Sequence, residues 1–232
     1  MVSKALISII VDNYSREGFL SEWGLSLYIE TDYWSMVFDA DTNSRVLATN
    51  LLRLGIDLNN VDFAFLSHHH GDHYGGFKYI GRVRPNLRIF IPPGDTEYLR
   101  SWGLNPVVIN KSEVIAENAW STGPLNLALW SIREHAFTFY VKGKGLVVVV
   151  GCSHPGLLKL VKKAMEVSGK NDIYLVIGGF HELDCDEADE LANVTKYIAP
   201  LHCSSSSVRE YIRNKYSDKY LELRGGDVIK LT

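Results

Sequence analysis

Leu146-Val147-Val148-Val149-Val150 leaves this chain little freedom of fold. Consecutive β-branched residues favour a strand, and a strand with no polar alternation has to be covered on both faces. Ala5 to Val11, Val61 to Leu66 and Asp172 to Ile177 carry comparable apolar runs. Between them lie stretches with helical spacing. Val46, Leu47, Asn50, Leu51 and Leu54 form one face that stops at Gly55, a good residue to end a helix. Leu157, Leu160, Val161, Ala164 and Met165 form another, with Lys159, Lys162, Lys163 and Glu166 opposite. Strands in both halves with helices between them predict an α/β chain. The expectation is one domain over residues 1–232, a sandwich of two sheets flanked by helices.

The remaining elements follow from turn residues and alternation. Leu25 to Glu30 and Trp34 to Phe38 read as a hairpin turned by Thr31-Asp32-Tyr33. Strands are also expected at Leu87–Ile91, Leu127–Ile132, Phe137–Val141, Ile198–Leu201, Tyr220–Leu223 and Val228–Leu231. Helices are expected at Asp95–Trp102 and Asp186–Tyr197, with a last one opened by Ser204 to Ser207. Residues 103–126 carry no clear period.

Composition narrows the function. A chain of 232 residues can bury a full core, and a formal net charge of −3 gives no basic footprint for nucleic acid. The three cysteines, Cys152, Cys185 and Cys203, include no CxxC pair, which speaks against a disulfide framework and for a reducing compartment. Ala5 to Val11 is too short for a signal sequence, and no run approaches the ~20 apolar residues that span a bilayer. The expectation is a cytoplasmic protein with a small-molecule substrate, no nucleic-acid partner and no membrane association. The sequence leaves the oligomeric state open.

The Val61–Leu66 strand ends in Ser67-His68-His69-His70-Gly71-Asp72-His73. Imidazole and carboxylate are ligands that zinc, manganese and iron accept. His68 and His70 are two apart, so extended backbone points both to one side. Gly71 lets the chain turn, bringing Asp72 and His73 to a second point nearby, and two ligand pairs on one loop suggest two divalent metal ions. His69 points away from its neighbours. Three further histidines, His154, His181 and His202, stand at strand ends beside turn residues, where α/β proteins gather their sites. Two metals with about three protein ligands each need at least two of these three.

His-x-His-x-Asp-His after a strand, with later histidines at strand ends, resembles the metallo-β-lactamase superfamily. The series Val11-Asp12-Asn13, Gly24-Leu25-Ser26, Phe38-Asp39, Leu54 to Leu58, Gly151-Cys152-Ser153-His154, Gly178-Gly179-Phe180-His181 and Pro200-Leu201-His202-Cys203 is similar to one branch of it. That branch holds metal-dependent hydrolases of unassigned substrate and an archaeal dihydropterin–aminobenzene ribotide synthase of methanopterin biosynthesis. The resemblance implies the αββα sandwich of two mixed sheets. It implies His68, His70 and His154 around one metal, zinc by preference with manganese or iron as alternatives, and Asp72, His73 and His202 around the other. Where the superfamily usually has a bridging aspartate this chain has Cys152, either a thiolate ligand or a small buried residue. Asp39 is expected to orient a ligand histidine, and His181 to donate a proton or touch substrate. Trp23, Asp41 and Ser204-Ser205 depart from the branch pattern.

A metal pair of this kind activates water, with Asp72 both ligand and orienting base. Ser204 and Ser205 follow His202 after a single residue, and hydroxyls at a helix start suit either an anion such as a substrate phosphate or plain capping. Tyr14, Tyr74 and Phe180 suit stacking on a flat heterocycle or ordinary packing. The sequence thus predicts a dinuclear hydrolase-type enzyme acting on a small phosphorylated or heterocyclic substrate, with pterin-methyl transfer as the alternative. A di-iron oxidoreductase is disfavoured by His70, where that class has a glutamate, and a non-catalytic module by the complete ligand set.

Overall fold

The computed structural model describes residues 1–127 and 130–232. Six strands come first: β1 (Ala5–Val11), β2 (Ser26–Thr31), β3 (Ser35–Phe38), β4 (Phe63–Phe65), β5 (Arg88–Ile91) and β6 (Asn105–Val108). Then follow β7 (Glu113–Ala116), β8 (Ala119–Ser121), β9 (Leu125–Leu127), β10 (Trp130–Glu134), β11 (Phe137–Val141), β12 (Gly145–Val150), β13 (Ile173–Gly179), β14 (Thr195–Leu201) and β15 (Val228–Leu231). The helices are α1 (Ser44–Leu54), α2 (Gly71–Tyr74), α3 (Phe77–Val83), α4 (Glu97–Ser101), α5 (Leu157–Ser168), α6 (Cys185–Val194) and α7 (Ser206–Lys215).

The strands form a seven-stranded sheet, β15-β1-β2-β3-β4-β5-β6, and a six-stranded sheet, β14-β13-β12-β11-β8-β7, with β9 and β10 paired separately. Both large sheets are mixed. The first is antiparallel through β3 and parallel from β3 to β6. The second is parallel only across β12, β13 and β14. Alternation along β12 accounts for its unbroken apolar run. Val147 and Val149 face the first sheet across the central core, while Leu146, Val148 and Val150 pack under α5, α6 and α7. On the other side Val37, Ala64 and Ile89 pack beneath α1, α3 and α4. Helix, sheet, sheet and helix layers therefore stack as the sequence predicted.

Two expectations are corrected. The Asp186–Tyr197 helix ends at Val194, because Thr195 and Tyr197 already pair with Ile173 and Leu175 in the parallel ladder. Tyr220–Leu223 is no strand and contributes a single bridge, Ile198 to Tyr220. Residues 103–126 hold β6, β7, β8 and the start of β9. The expected Leu127–Ile132 strand falls partly on residues 128–129, outside the described residues; β9 ends before them and β10 begins after. No helix among the described residues is long and apolar enough to cross a membrane.

The fold aligns the strand ends that matter. Phe38 pairs with Phe65, so Asp39 and the Ser67–His73 segment leave adjacent parallel strands. Val150 pairs with Gly178 and Gly179 with Leu201, which puts His154, His181 and His202 on one carboxyl-end edge of the second sheet.

Candidate metal centre

The two edges meet. Past β4 the chain runs extended through His68 and His70, then turns into the single-turn α2, which carries Asp72 and His73. His154 comes from the turn between β12 and α5, and His202 from the turn between β14 and α7. His68, His70 and His154 offer one ligand atom each within 4.8 Å of one another, and so do Asp72, His73 and His202. His68, His73 and Cys152 form a third such group. It takes one histidine from each of the first two, so the Cys152 thiol lies between them, 3.2 Å from His73 Nε2.

Hydrogen bonds on the far side of three rings, His73, His68 and His202, fix which nitrogen faces inward. His73 Nδ1 meets Asp39 Oδ2 at 2.7 Å. The same carboxylate accepts the Ser67 N–H and hydroxyl, both at 2.7 Å, and Ser67 Oγ lies 2.9 Å from His68 Nδ1. Asp39 therefore orients His73 directly and His68 through Ser67, leaving both Nε2 atoms for the centre. His202 Nδ1 lies 3.0 Å from Asn13 Oδ1, Asn13 Nδ2 donates to the His202 carbonyl at 2.8 Å, and the His202 N–H is held by Asp12. Asp39, Ser153 and His202 all sit at positive φ (51°, 62° and 39°), a backbone region that non-glycine residues adopt at a cost and that gathers at functional sites.

Two residues that sequence reasoning passed over hold the scaffold. The buried Glu134 carboxylate, at the end of β10, accepts the N–H groups of Cys152, Ser153 and His154 at 2.9, 2.7 and 2.8 Å. Its neighbour His135 bonds the Leu66 carbonyl through Nε2 at 2.8 Å and donates its own N–H to the Ser67 carbonyl at 3.1 Å. Adjacent residues thus grip both ligand-bearing loops. Burial raises the Glu134 carboxyl to about 7, against the pull of the amides it accepts. Burial lowers His135 to about 3.

The two ligand groups differ electrostatically. Burial, reinforced by neighbouring histidines, lowers His68 well below its usual value and His154 to about 4; burial also lowers His70. These imidazoles are neutral donors, the form that binds metal. In the other group burial would lower His73 and raise Asp72, but their partners prevail. The charge and hydrogen bond of Asp39 raise His73, and His202 and His73 lower Asp72. The His154 and His202 Nε2 atoms are buried without a hydrogen-bond partner among the described residues, although His202 Nε2 lies 3.2 Å from Asp72 Oδ2. Buried polar nitrogens seldom stay unpaired, and one from each triad in that state fits ligand positions for a cation.

The rim holds the other expected residues. His181 is part-exposed beside His154, ring centroids 4.9 Å apart, and its proton is favoured by a hydrogen bond to Cys203. Cys203, given no site role by the sequence reading, groups with Cys152 and His202. Hydrogen bonding between the two thiols lowers Cys203 and raises Cys152. Trp23 lies over His202 at 5.1 Å and donates its indole N–H to Asp72 at 3.0 Å. His69 turns away, to the Tyr98 hydroxyl and the Pro92 carbonyl. A cavity of about 400 Å³ opens beside His70, walled by His69, Tyr74, Tyr98 and Arg133. The serines expected to meet substrate are engaged by the fold. Ser204 is buried, donating to the Leu201 carbonyl and accepting the Phe180 N–H, and Ser205 caps α7 through the Val208 N–H. Phe180 packs in the core under α5 and α6 and is no stacking surface.

With the geometry in place, comparisons with known proteins are consistent with it. The sequence profile of the metallo-beta-lactamase superfamily matches residues 34–158, over half the chain and inclusive of His68 to His154. The 7,8-dihydropterin-6-methyl-4-(beta-D-ribofuranosyl)-aminobenzene-5'-phosphate synthase of Methanocaldococcus jannaschii is 26% identical over 99% of this chain and 97% of its own. Among solved structures, Tm1679, described as a metal-dependent hydrolase of the beta-lactamase superfamily, superposes with a TM-score of 0.80 at 24% identity, covering 98% of both chains. The metallo-beta-lactamase fold protein YhfI of Bacillus subtilis gives 0.69 at 14% identity, over 98% of this chain and 99% of its own. This chain belongs to the metallo-β-lactamase superfamily.

Proposed function

We propose that the chain is a dinuclear-metal-dependent enzyme of hydrolase type, acting on a small phosphorylated or heterocyclic substrate with an activated water as nucleophile. The observation that carries this reading is the pair of three-ligand groups sharing a frontier at Cys152. Divalent metals bound there, zinc being the best match to a set of imidazoles, one carboxylate and a thiol, would polarise a substrate oxygen and acidify a water. His68, His70 and His154 would hold one ion through nitrogens alone, and Asp72, His73 and His202 the other, with Cys152 at the boundary. Asp72 stays an anion because His202 and His73 favour its charged form, so its free oxygen suits orienting a water and accepting its hydrogen bond. His181, part-exposed and with its proton favoured, suits delivery of a proton to a leaving group. The cavity beside His70 offers Tyr74 and Tyr98 as flat walls and Arg133 as a cation.

A second reading, pterin-methyl transfer, is favoured by the full-length match to the archaeal synthase. One experiment separates them. The metal content of the purified protein is measured, and turnover is screened on phosphodiesters, lactones and a pterin pyrophosphate with an aminobenzene ribotide. Asp72→Ala should lower turnover by about 10²–10⁴-fold with the fold retained by circular dichroism. Full turnover in both Asp72→Ala and His154→Ala would move the chemistry elsewhere.

A further inference from the structure

A second cavity, of about 300 Å³, lies between α7 and the segment that leads into β15. Arg209, Arg213 and Arg224 all line it, in a protein whose formal net charge is −3. Like charges gathered around one hollow repel, and an anion in the hollow offsets that repulsion. The carboxylates of the wall neutralise them only in part. Glu222 pairs with Arg224 at 2.7 Å, while Glu210 is in no ion pair found among the described residues. Arg213 likewise has no carboxylate within ion-pairing distance among those residues.

Arg209 is the more telling side chain. Its Nε donates to the Ser204 carbonyl at 3.3 Å and its guanidinium lies 5.7 Å from the centre of the Tyr14 ring. Its Nη2 is buried and has no hydrogen-bond acceptor among the described residues. A guanidinium left short of acceptors is costly, and an oxyanion in the hollow is the partner that the cavity-lining part of its planar fork fits.

The cavity adjoins the metal centre through three consecutive residues. Tyr14 lines the cavity, and its N–H donates to Asp12 Oδ2 at 3.3 Å. Asp12 in turn holds the His202 N–H, and Asn13 holds the His202 ring. Tyr14 is 61% exposed, so its ring face is open to a ligand. The volume is at the low end of the range for small-molecule sites.

We propose that this cavity binds the phosphate-monoester end of the substrate, with Arg209 and Arg213 as the anion clamp and Tyr14 as the surface for the adjoining sugar or ring. The inference rests on the reading of the centre as an enzyme for a phosphorylated small molecule. It places the phosphate next to the second ligand group, in a cavity whose lining shares no residue with the one that touches His70. It also relocates phosphate recognition from the serine hydroxyls at the start of α7 to arginines on the same helix.

Binding, measured apart from turnover, tests the proposal. Ribose 5-phosphate, inorganic phosphate and neutral ribose are titrated by calorimetry into the purified wild-type protein, Arg209→Met, Arg213→Gln and His154→Ala. Metal content is measured on the same samples. Ribose 5-phosphate should bind the wild type and His154→Ala alike, and about tenfold or more weakly in each arginine variant; ribose should not bind. Arg213 is exposed, so its variant keeps the test valid if Arg209→Met misfolds. Unchanged affinity in Arg213→Gln and in folded Arg209→Met overturns the proposal. So does affinity lost in His154→Ala, which would put the phosphate on the metals, or no binding at millimolar ligand. Normal metal content alongside absent phosphate binding would sink this site while leaving the metal centre standing.

Discussion

The two ligand groups are built from similar residues and supported in opposite ways. Asp72, His73 and His202 are backed by anions and amides: Asp39 behind His73, Asn13 behind the His202 ring, Asp12 behind its N–H. His68, His70 and His154 have no carboxylate among them, and apart from the relay from Asp39 through Ser67 to His68 their support is backbone clamping, chiefly Glu134 on the 152–154 amides. The first arrangement sets the charge of the ligands, whereas the second sets only their position. A cation should therefore find the aspartate-containing group the stronger attractor, with the all-histidine group dependent on the rigidity of its loops.

The largest expected effect attacks that rigidity. Glu134→Ala strands three N–H groups, two of them buried and each of those worth about 1–3 kcal/mol when unpaired, so a loss of about 2 kcal/mol or more is expected in denaturant unfolding. Metal should leave the all-histidine group before the other. Equal loss from both would erase the distinction. Asp39→Asn attacks the other side, and a change of this kind behind a ligand histidine typically costs about 10–100-fold in metal affinity. Competition with a chromogenic chelator should show the drop mainly in the tighter of two binding events, and a drop confined to the weaker event would reverse the assignment.

The smallest effect is one of pH, in metal-free protein. His154 titrates at about 4 when folded, below the ordinary histidine value of about 6.5. The unfolded chain binds the proton first, so the His154 contribution to stability is present above that value and fades as pH falls towards 4. His73 is raised instead, so its contribution is full below the ordinary value and fades as pH climbs through the folded one. Because His154 is part-exposed and screened by solvent, its slope should stay below about 1.4 kcal/mol per pH unit. His154→Ala should flatten the acid limb of the stability curve and His73→Ala the opposite limb. The same sign for both variants would remove the electrostatic contrast.

What the sequence made legible was local. The His-x-His-x-Asp-His spacing spells out four ligands within six positions, and Gly55 at φ 69° ends α1 where it was expected to. The αββα layering followed from apolar runs such as β12. Illegible were contacts whose two ends share no pattern. Asn13 meets His202 across 189 positions, and nothing in Glu134-His135 distinguishes it from a polar break between strands. Residues 113–121 form short strands at one edge of the second sheet, too brief to show a period. Ser204 and Ser205 illustrate the converse: a run with two physical readings, of which the fold employs capping and buried bonding.

Glu134 and His135 are neighbours, yet one grips the loop after β12 and the other the loop after β4. A single peptide link therefore spaces the two jaws of the centre. Thermal opening at either jaw has to drag the other along, so the ligands of these two loops should be released together rather than stepwise, and the separation of the two loops is set by covalent geometry as much as by any ion held between them.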